Sequence, residues 1–591
     1  MTWRYDGKLL GVIFEDGSLQ VFNGSNGKVV STDEERKFTA INWAQDTMSQ
    51  SKKVDDLLPN NLFGLDLLKH LPKLPSLPSN FQAFSRVSLD DTAETTDMLI
   101  TGTELGEMEL NLYGVFSIGG VQVSKEEHRI RDVLAVADLS HFLAIVSNDQ
   151  CQSLVKIKAG FIRKFGLTYL PEVSLTPAKI YALVDYVHEA LTIVQKEVGT
   201  VTTQTKRAFV GLHDDHEVVK VELYDTLLTG NPSKAVVTWL SGELGDRGLK
   251  KWTKTVLGCY DAVKKVLFEN LIPGCERLVV LLSKLRGLAK WKERGEPLGL
   301  VPERFDDAIT QTTSIIKQAH TLLNKVCEES YYFKSFSAWL EVVYGEIPDA
   351  PPATGKPLHD DPSSVKTLDV AKFITTYLYK SDSLLDTVSA IDPLRQSCNA
   401  AFDEAKLAMH KQVTVETTVN VAPTDSHNVH QFYDQQTDYW YVLIHQRDDQ
   451  EFQLIRFKVS EETGGHISEA IVVQTEGQIL QMEFVDNEAI MMITKQSETH
   501  HSLLSMTYST LPYNLFSLAD PQTPLYTTVE ANVAKQPLVV DKSRSFASEF
   551  IPSAFTVNGR PNRRIGFLLA NDDRRSLFFD LDDDDEDEEM L

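Results

Sequence analysis

The chain changes its hydrophobic period twice. Residues 1 to about 165 alternate apolar and polar side chains, residues 175 to 412 place them at helical spacing, and residues 430 to 581 alternate again. A period of two belongs to strands and one of 3.6 to helices, because successive side chains point to opposite faces in one and wind around an axis in the other. This order predicts a mixed β + α protein in which helices are set into a sheet domain.

The first β segment carries a repeat. Trp3-Arg4-Tyr5-Asp6-Gly7-Lys8 precedes the strand-like run Leu9 to Phe14, a Glu15-Asp16-Gly17 turn and a second strand, Ser18 to Phe22. Lys37 to Trp43 begins the next unit, with Asp46 standing where Asp6 stood. A spacing of about 40 residues suits a WD-type propeller blade. The last unit, Arg564 to Leu581, is again strand, Asn-Asp-Asp turn and strand. The echo at the two ends predicts one WD40-like β-propeller, split by the helices.

Further strands are expected at Asp97 to Thr101, Glu107 to Tyr113, Phe142 to Val146 and Leu154 to Ile157. Others are expected at Tyr439 to His445, Phe452 to Val459, Ile479 to Phe484, Ala489 to Thr494 and Leu503 to Tyr508. Within 57–80, Leu71-Pro-Lys-Leu-Pro-Ser-Leu-Pro78 has proline at every third residue. That spacing suits polyproline II and excludes a helix or a central strand. It reads as a stiff surface connector or as a docking strip.

Thr176-Pro177 reads as a helix start. Apolar stripes follow at Ile180, Leu183, Val184, Val187, Leu191 and Val194, and at Leu249, Trp252, Val256, Tyr260, Val263 and Leu267, ending before Pro273. Leu278, Leu281, Leu282, Leu285 and Leu288 form another, and Phe305, Ile309, Thr312, Ile316, Ala319, Leu323, Val326 and Phe333 a longer one. Long amphipathic helices with short connections pack as an antiparallel bundle. The proline-rich run 345–366 reads as a mobile loop inside it. The expected domains are thus 1–168 and 416–581 for the two propeller parts, 169–415 for the inserted helices, and 582–591 for an acidic disordered tail.

Charge and motifs narrow the function. Net charge is −26, and nine of these charges lie in the last twelve residues. Such a chain repels phosphate backbones, so no nucleic-acid partner is expected. Five cysteines at wide spacing, none in a C-x-x-C pair, suggest reduced thiols in a cytosolic or nuclear protein. The N-terminus lacks the apolar core of a signal peptide, and no run is long enough to span a membrane. No nucleophile elbow, phosphate loop or dinucleotide fingerprint is present. His427 with His430, and His500 with His501, lack the companions of a zinc site. No enzyme activity, cofactor, metal, membrane or small-molecule substrate is expected. Trp3, Trp43 and Trp252 read as core. Trp239 and Trp291 lie near helix ends, where packing is the plainer reading and an aromatic anchor for a partner the sharper one. The candidate partner-contact residues are Leu71, Pro72, Leu74, Pro75, Trp239 and Trp291.

The stretch Leu228 to Leu300 contains Leu-Thr-Gly-Asn-Pro-Ser-Lys-Ala, Leu-Gly-Asp-Arg-Gly-Leu-Lys-Lys-Trp, Gly-Cys-Glu-Arg-Leu and Leu-Ser-Lys-Leu-Arg-Gly-Leu-Ala-Lys-Trp291. It resembles the helical domain of the subunit 4 family of the anaphase-promoting complex, or cyclosome. The Trp-Arg-x-Asp-Gly-Lys-Leu-Leu blade, the proline run at 71–78 and the acidic end after Phe-Asp-Leu agree in order. The resemblance implies a seven-bladed propeller interrupted by a helical bundle. It also implies a non-catalytic scaffold in a multi-subunit ubiquitin ligase of the cell cycle, in nucleus and cytoplasm. Implied partners are the large scaffold subunit, the neighbouring platform subunit 5 and the tetratricopeptide-repeat subunits. The family carries a further strand-rich stretch ahead of this first blade. The expectation is therefore a shortened or divergent N-terminus, with ring closure left open. A propeller-plus-helix subunit of a vesicle coat or nuclear pore is the alternative, disfavoured because the chain returns to strands.

Overall fold

In a computed structural model the chain divides into two compact units, residues 1–55, 93–171 and 406–591, and residues 56–92 and 172–405. The structure describes all residues except 48–70, 79–94, 125–127, 149, 349, 353–364, 380–390, 424–426, 460–466, 498–499, 518–523, 547–549, 560–563, 573 and 582–591. The acidic tail and most of the 345–366 loop lie outside the described residues.

The first unit holds six sheets among its described residues, antiparallel throughout but for one parallel edge pairing. Sheet one is β1 (Thr2–Trp3), β2 (Leu9–Ile13), β3 (Leu19–Asn23) and β4 (Val29–Asp33), and sheet two is β5 (Phe38–Gln45), β6 (Asp97–Thr103), β7 (Glu107–Leu112) and β8 (Phe116–Gln122). Sheet three is β9 (Arg129–Ala135), β10 (His141–Ser147), β11 (Cys151–Ala159) and β12 (Val413–Pro423). Sheet four contains β13 (His427–Asp434), β14 (Tyr439–Gln446), β15 (Glu451–Lys458) and β16 (Ile467–Gln474). Sheet five starts with β17 (Gln478–Phe484), β18 (Ala489–Ser497) and β19 (His500–Thr507). The chain then returns to sheet four, adding β20 (Asn514–Ser517) and β21 (Lys535–Pro537) along the edge of β16, before β22 (Lys542–Ser545) completes sheet five. Sheet six has three strands, β23 (Pro552–Asn558), β24 (Ile565–Ala570) and β25 (Ser576–Asp580).

Apolar layers pack consecutive sheets together. Leu9, Val21, Trp43 and Leu99 join sheets one and two, and Tyr441, Leu454, Met482 and Met492 join sheets four and five. The seven blades implied by the resemblance are not what the described residues form: there are six sheets, and none closes into a barrel. Trp43 is buried as expected, but Trp3 on the edge strand β1 is 46% exposed. Among the described residues no strand pairs with the outer side of β1. The first turn follows its chemistry: Gly17 takes φ +85° and the Asp16 carboxylate accepts from the Ser18 N–H at 2.9 Å.

Sheet three explains the change of period. β11 pairs with β12 from Cys151↔Pro423 to Ala159↔Val413, so the chain leaves one strand at Ala159 and re-enters its neighbour at Val413. All intervening residues are a hairpin connection. Closing so long a loop costs only logarithmically more than a short one, which makes a folded excursion tolerable.

The excursion is mostly helix: α1 (Gly160–Phe209), α2 (His216–Thr229), α3 (Gly245–Lys265), α4 (Ile272–Lys290), α5 (Pro302–Glu346), α6 (Thr367–Lys372) and α7 (Ile391–His410), with α8 (Leu525–Asn532) later in the sheet unit. Helix begins at Gly160, breaks at Gly166 and runs on past Thr176-Pro177. The expected start at Thr176 is therefore mid-helix, with the Thr176 hydroxyl donating to Glu172 instead of capping. The expected stop before Pro273 is also absent. Residues Val266–Leu271 widen into a π turn and α4 follows directly. Proline lacks an N–H and presses on the carbonyl four residues back, and a π turn absorbs both effects.

α3 and α4 together lie antiparallel to α5. Trp252 meets Phe333, Tyr260 donates to Glu329 at 2.7 Å, and Arg286 pairs with Asp306 at 2.8 Å. The buried line of α5 is Phe305, Ala308, Thr312, Ile315, Ala319, Leu322 and Val326. This is a seven-residue repeat. Ile309, Ile316 and Leu323 of the expected stripe are only half-buried. The a-type positions agree with the expected stripe and the other buried positions lie one residue earlier than expected; both lines have a period of 3.5, so the helices packed against α5 decide between them.

Candidate functional site: a proline strip held by the helical unit

Residues 71–78 lie against the helices of their own unit. Polyproline II has three residues per turn, so Leu71, Leu74 and Leu77 share one edge, and Pro72 and Pro75 another. The leucine edge sinks progressively: Leu71 is 38% exposed, Leu74 is half-buried and Leu77 is 6% exposed. Proline nitrogens cannot donate, so the carbonyls carry the polar recognition. The Pro75 carbonyl accepts from the Tyr186 hydroxyl at 2.8 Å and from Asn270 Nδ2 at 3.3 Å. Asn270 also donates to the Tyr186 oxygen at 2.7 Å. Arg277 Nη2 donates to the Pro72 carbonyl, while its Nη1 donates to Pro273 at 2.9 Å. Burial pulls the Arg277 guanidinium below its usual value and pushes the Tyr186 hydroxyl up. Each neutral bond of this kind contributes about 0.5–1.5 kcal/mol.

Leu71, Pro72 and Pro75 keep exposed side chains, and Leu74 is half-covered. Trp239 is placed differently from a surface anchor. Its ring is 1% exposed, stacks on Phe209 at 5.1 Å and donates to the Ala208 carbonyl at 2.7 Å. It is core because the turn after Thr238 directs it inward, beside the end of α1. Trp291 ends α4 half-buried, with the Arg294 guanidinium 6.0 Å from its ring. The structure therefore gathers Leu71, Pro72, Leu74 and Pro75 into one strip and gives the two tryptophans different neighbours. Tyr186, Asn270 and Arg277 were not singled out in the sequence. The available signal was a polar side chain at a buried helical position, as at Asn270 and Arg277.

A cleft in the same unit is lined by apolar residues such as Val198, Val263 and Phe373, with Lys206 and Glu329 as its charged side chains. Glu329 accepts the Tyr260 hydroxyl bond. Among the described residues no group of three or more His, Cys, Asp or Glu side chains could hold a metal ion. His427 and His430 lie on β13, and His430 stacks on His445 of β14 at 5.7 Å. No helix is long and apolar enough to cross a membrane among the described residues.

The fold thus defines a class: mainly antiparallel sheets packed in succession, with a helical unit looped out of one β-hairpin. Residues 153–349 match the family model described as anaphase-promoting complex, cyclosome, subunit 4. The stretch 228–300, on which the resemblance rested, lies inside the match. The chain is similar to anaphase-promoting complex subunit 4 of Pongo abelii, 29% identical over 361 residues, covering 58% of this chain and 43% of that protein. It is similar to the Schizosaccharomyces pombe subunit 4, 25% identical over 60% of this chain and 52% of that protein. The Saccharomyces cerevisiae subunit 4 is 22% identical over 48% of this chain and 44% of that protein. The chain spans about half the length of the curated relatives it matches.

Proposed function

We propose that this chain is a non-catalytic scaffold subunit of an anaphase-promoting complex, a multi-subunit ubiquitin ligase of the cell cycle. The observation that carries the reading is the family match across the end of sheet three and most of the inserted helices. In this reading the six sheets belong to an interrupted WD40-like propeller whose ring has seven blades, and the helices form the inserted bundle. Both present broad surfaces. Permanent assemblies bury roughly 2,000 Å² or more per interface, which a two-unit chain can supply at several places. Holding ligase modules together raises their mutual concentration to the order of mM.

The partners proposed are the large scaffold subunit, platform subunit 5 and the tetratricopeptide-repeat subunits, with residence in nucleus and cytoplasm. Leu71, Pro72, Leu74 and Pro75 remain candidate contacts through their outward edges, as does Trp291. Native purification of the tagged full chain, followed by sizing and mass spectrometry, tests the reading. Co-elution with ubiquitin-ligase subunits in a large particle is expected. A free monomer near its own mass, without them, would overturn it.

A further inference from the structure

The α2 helix is apolar on two opposite sides. Val219, Leu223 and Thr226 face the interior of the helical unit. Val221, Tyr224 and Leu228 form a second line, 58%, 37% and 66% exposed. At 100° per residue the centres of these two lines fall about 180° apart. A surface helix needs one apolar face for its own packing, and Val221 and Leu228 stand mostly outside that packing, with Tyr224 at its margin.

Acidic groups frame that outer line. Glu217 precedes Val221 by one turn, Asp225 borders it, and Asp214 and Asp215 stand just ahead of the helix, all exposed. Asp215 caps the helix by accepting from the Glu217 N–H at 2.9 Å. Lys220 is the one lysine of α2 and pairs with Glu217 at 2.8 Å. The rim therefore presents net negative charge around an apolar centre. A second copy would bring like charge against like, and a nucleic acid or an anionic membrane would be repelled for the same reason.

We propose that the outer face of α2 is a docking surface for an amphipathic helix of another protein, with apolar residues along one face and Lys or Arg on its flanks. The spacing of Val221, Tyr224 and Leu228 fits a helix-on-helix contact with anchors at i, i+3 and i+7. The rim carboxylates select the basic flanks. A single helix pair buries too little for a permanent complex by itself, so this contact works as one element of a larger assembly. That biological setting rests on the proposed function, whereas the surface chemistry does not.

The test uses the full chain and two peptides of about 16 residues, long enough to form helix on docking. They share one leucine face and differ in having lysine or glutamate flanks, and fluorescence anisotropy reads their binding. The lysine-flanked peptide is expected to bind at least about tenfold more tightly than the glutamate-flanked one, a difference of about one decade in Kd. The V221D/L228D variant adds negative charge but removes the apolar line. It is expected to lose at least about tenfold in affinity for the lysine peptide, with an unchanged circular dichroism spectrum. Unchanged or tighter binding by V221D/L228D would mean that the peptide follows bulk charge, and would sink the proposal. The D214K/D225K variant keeps the apolar line and should reverse the preference between the peptides; retention of the original preference would also overturn it. Co-purification separates the two readings. Failure of the wild-type chain to join a ubiquitin-ligase particle counts against the proposed function alone. Entry of wild type and V221D/L228D into that particle with equal yield counts against the α2 surface alone.

Discussion

Asp97 shows how one residue ties sheets together. Its carboxylate is fully enclosed at the start of β6. Trp43 Nε1 donates to it at 3.0 Å, and Arg4, from the loop ahead of β2, pairs with it at 3.0 Å. Burial raises its pKa, while Arg4 and then Trp43 pull it back. Trp43→Phe keeps an aromatic ring but removes the indole N–H and leaves part of a buried carboxylate unpaired, so urea unfolding should show a loss of about 1–3 kcal/mol. An unchanged midpoint would contradict this account. Two other groups carry opposite pH signatures. Burial lowers His445 from 6.5 to about 4, so its neutral form favours folding above 6.5 and that contribution is lost as pH falls through about 4. Burial raises Glu483 from 4.5 to about 7 despite the Val557 N–H bond, so its contribution is present below 4.5 and lost as pH rises through about 7. Thermal unfolding of His445→Gln and Glu483→Gln across pH 4–8 should therefore flatten opposite slopes relative to wild type. Parallel curves for both variants would refute the assignment.

At the scale of elements, the proline strip and the α5 seam each make a sharp expectation. Tyr186 and Arg277 hold the carbonyls of Pro75 and Pro72. Tyr186→Phe combined with Arg277→Met should free the strip and speed tryptic cleavage after Lys73, which is exposed within it. Equal cleavage rates would show that the leucine edge alone holds it. In α5, Leu322 is 4% exposed while Leu323 is only half-buried. Leu322→Ala should cost about 2–4 kcal/mol in chemical unfolding, and Leu323→Ala less than about 1 kcal/mol. The reverse ranking would restore the sequence-derived stripe. The apolar period was legible here to within one residue. The residue that actually enters the seam depends on the neighbouring helices, because several lines of a long helix satisfy a helical period.

At the scale of the molecule, the β11–β12 register makes the helices a hairpin connection between Ala159 and Val413. Replacing residues 160–412 by an Asn-Gly turn should leave a chain that gives a β-type circular dichroism spectrum and a cooperative unfolding transition. If the proposed function holds, that chain no longer enters the complex; an aggregated or unfolded product would show that the sheet unit depends on the excursion. The alternation of strands was readable where one face is more buried than the other, as at Leu9–Ile13, whereas Tyr439–Gln446, buried on both faces, was readable as a short continuous apolar run. β12 and β13 were not singled out. β12 buries only three of its eleven residues, and β13 is broken in pattern by its histidines and glutamine.

Sequence alone determined the order of sheet, helix and sheet, the apolar stripes, the stiffness of the proline run and the family to which residues 153–349 are matched. Those properties are local: they follow from side-chain period, from fixed proline torsions and from the identity of residues in a row. Tertiary structure alone decided that Ala159 meets Val413, that Pro72 and Pro75 are gripped through their carbonyls, and that Trp239 is core. It also decided that α2 keeps a second apolar face outside. Each of these depends on which distant surface a segment meets, and a one-dimensional pattern leaves that choice open.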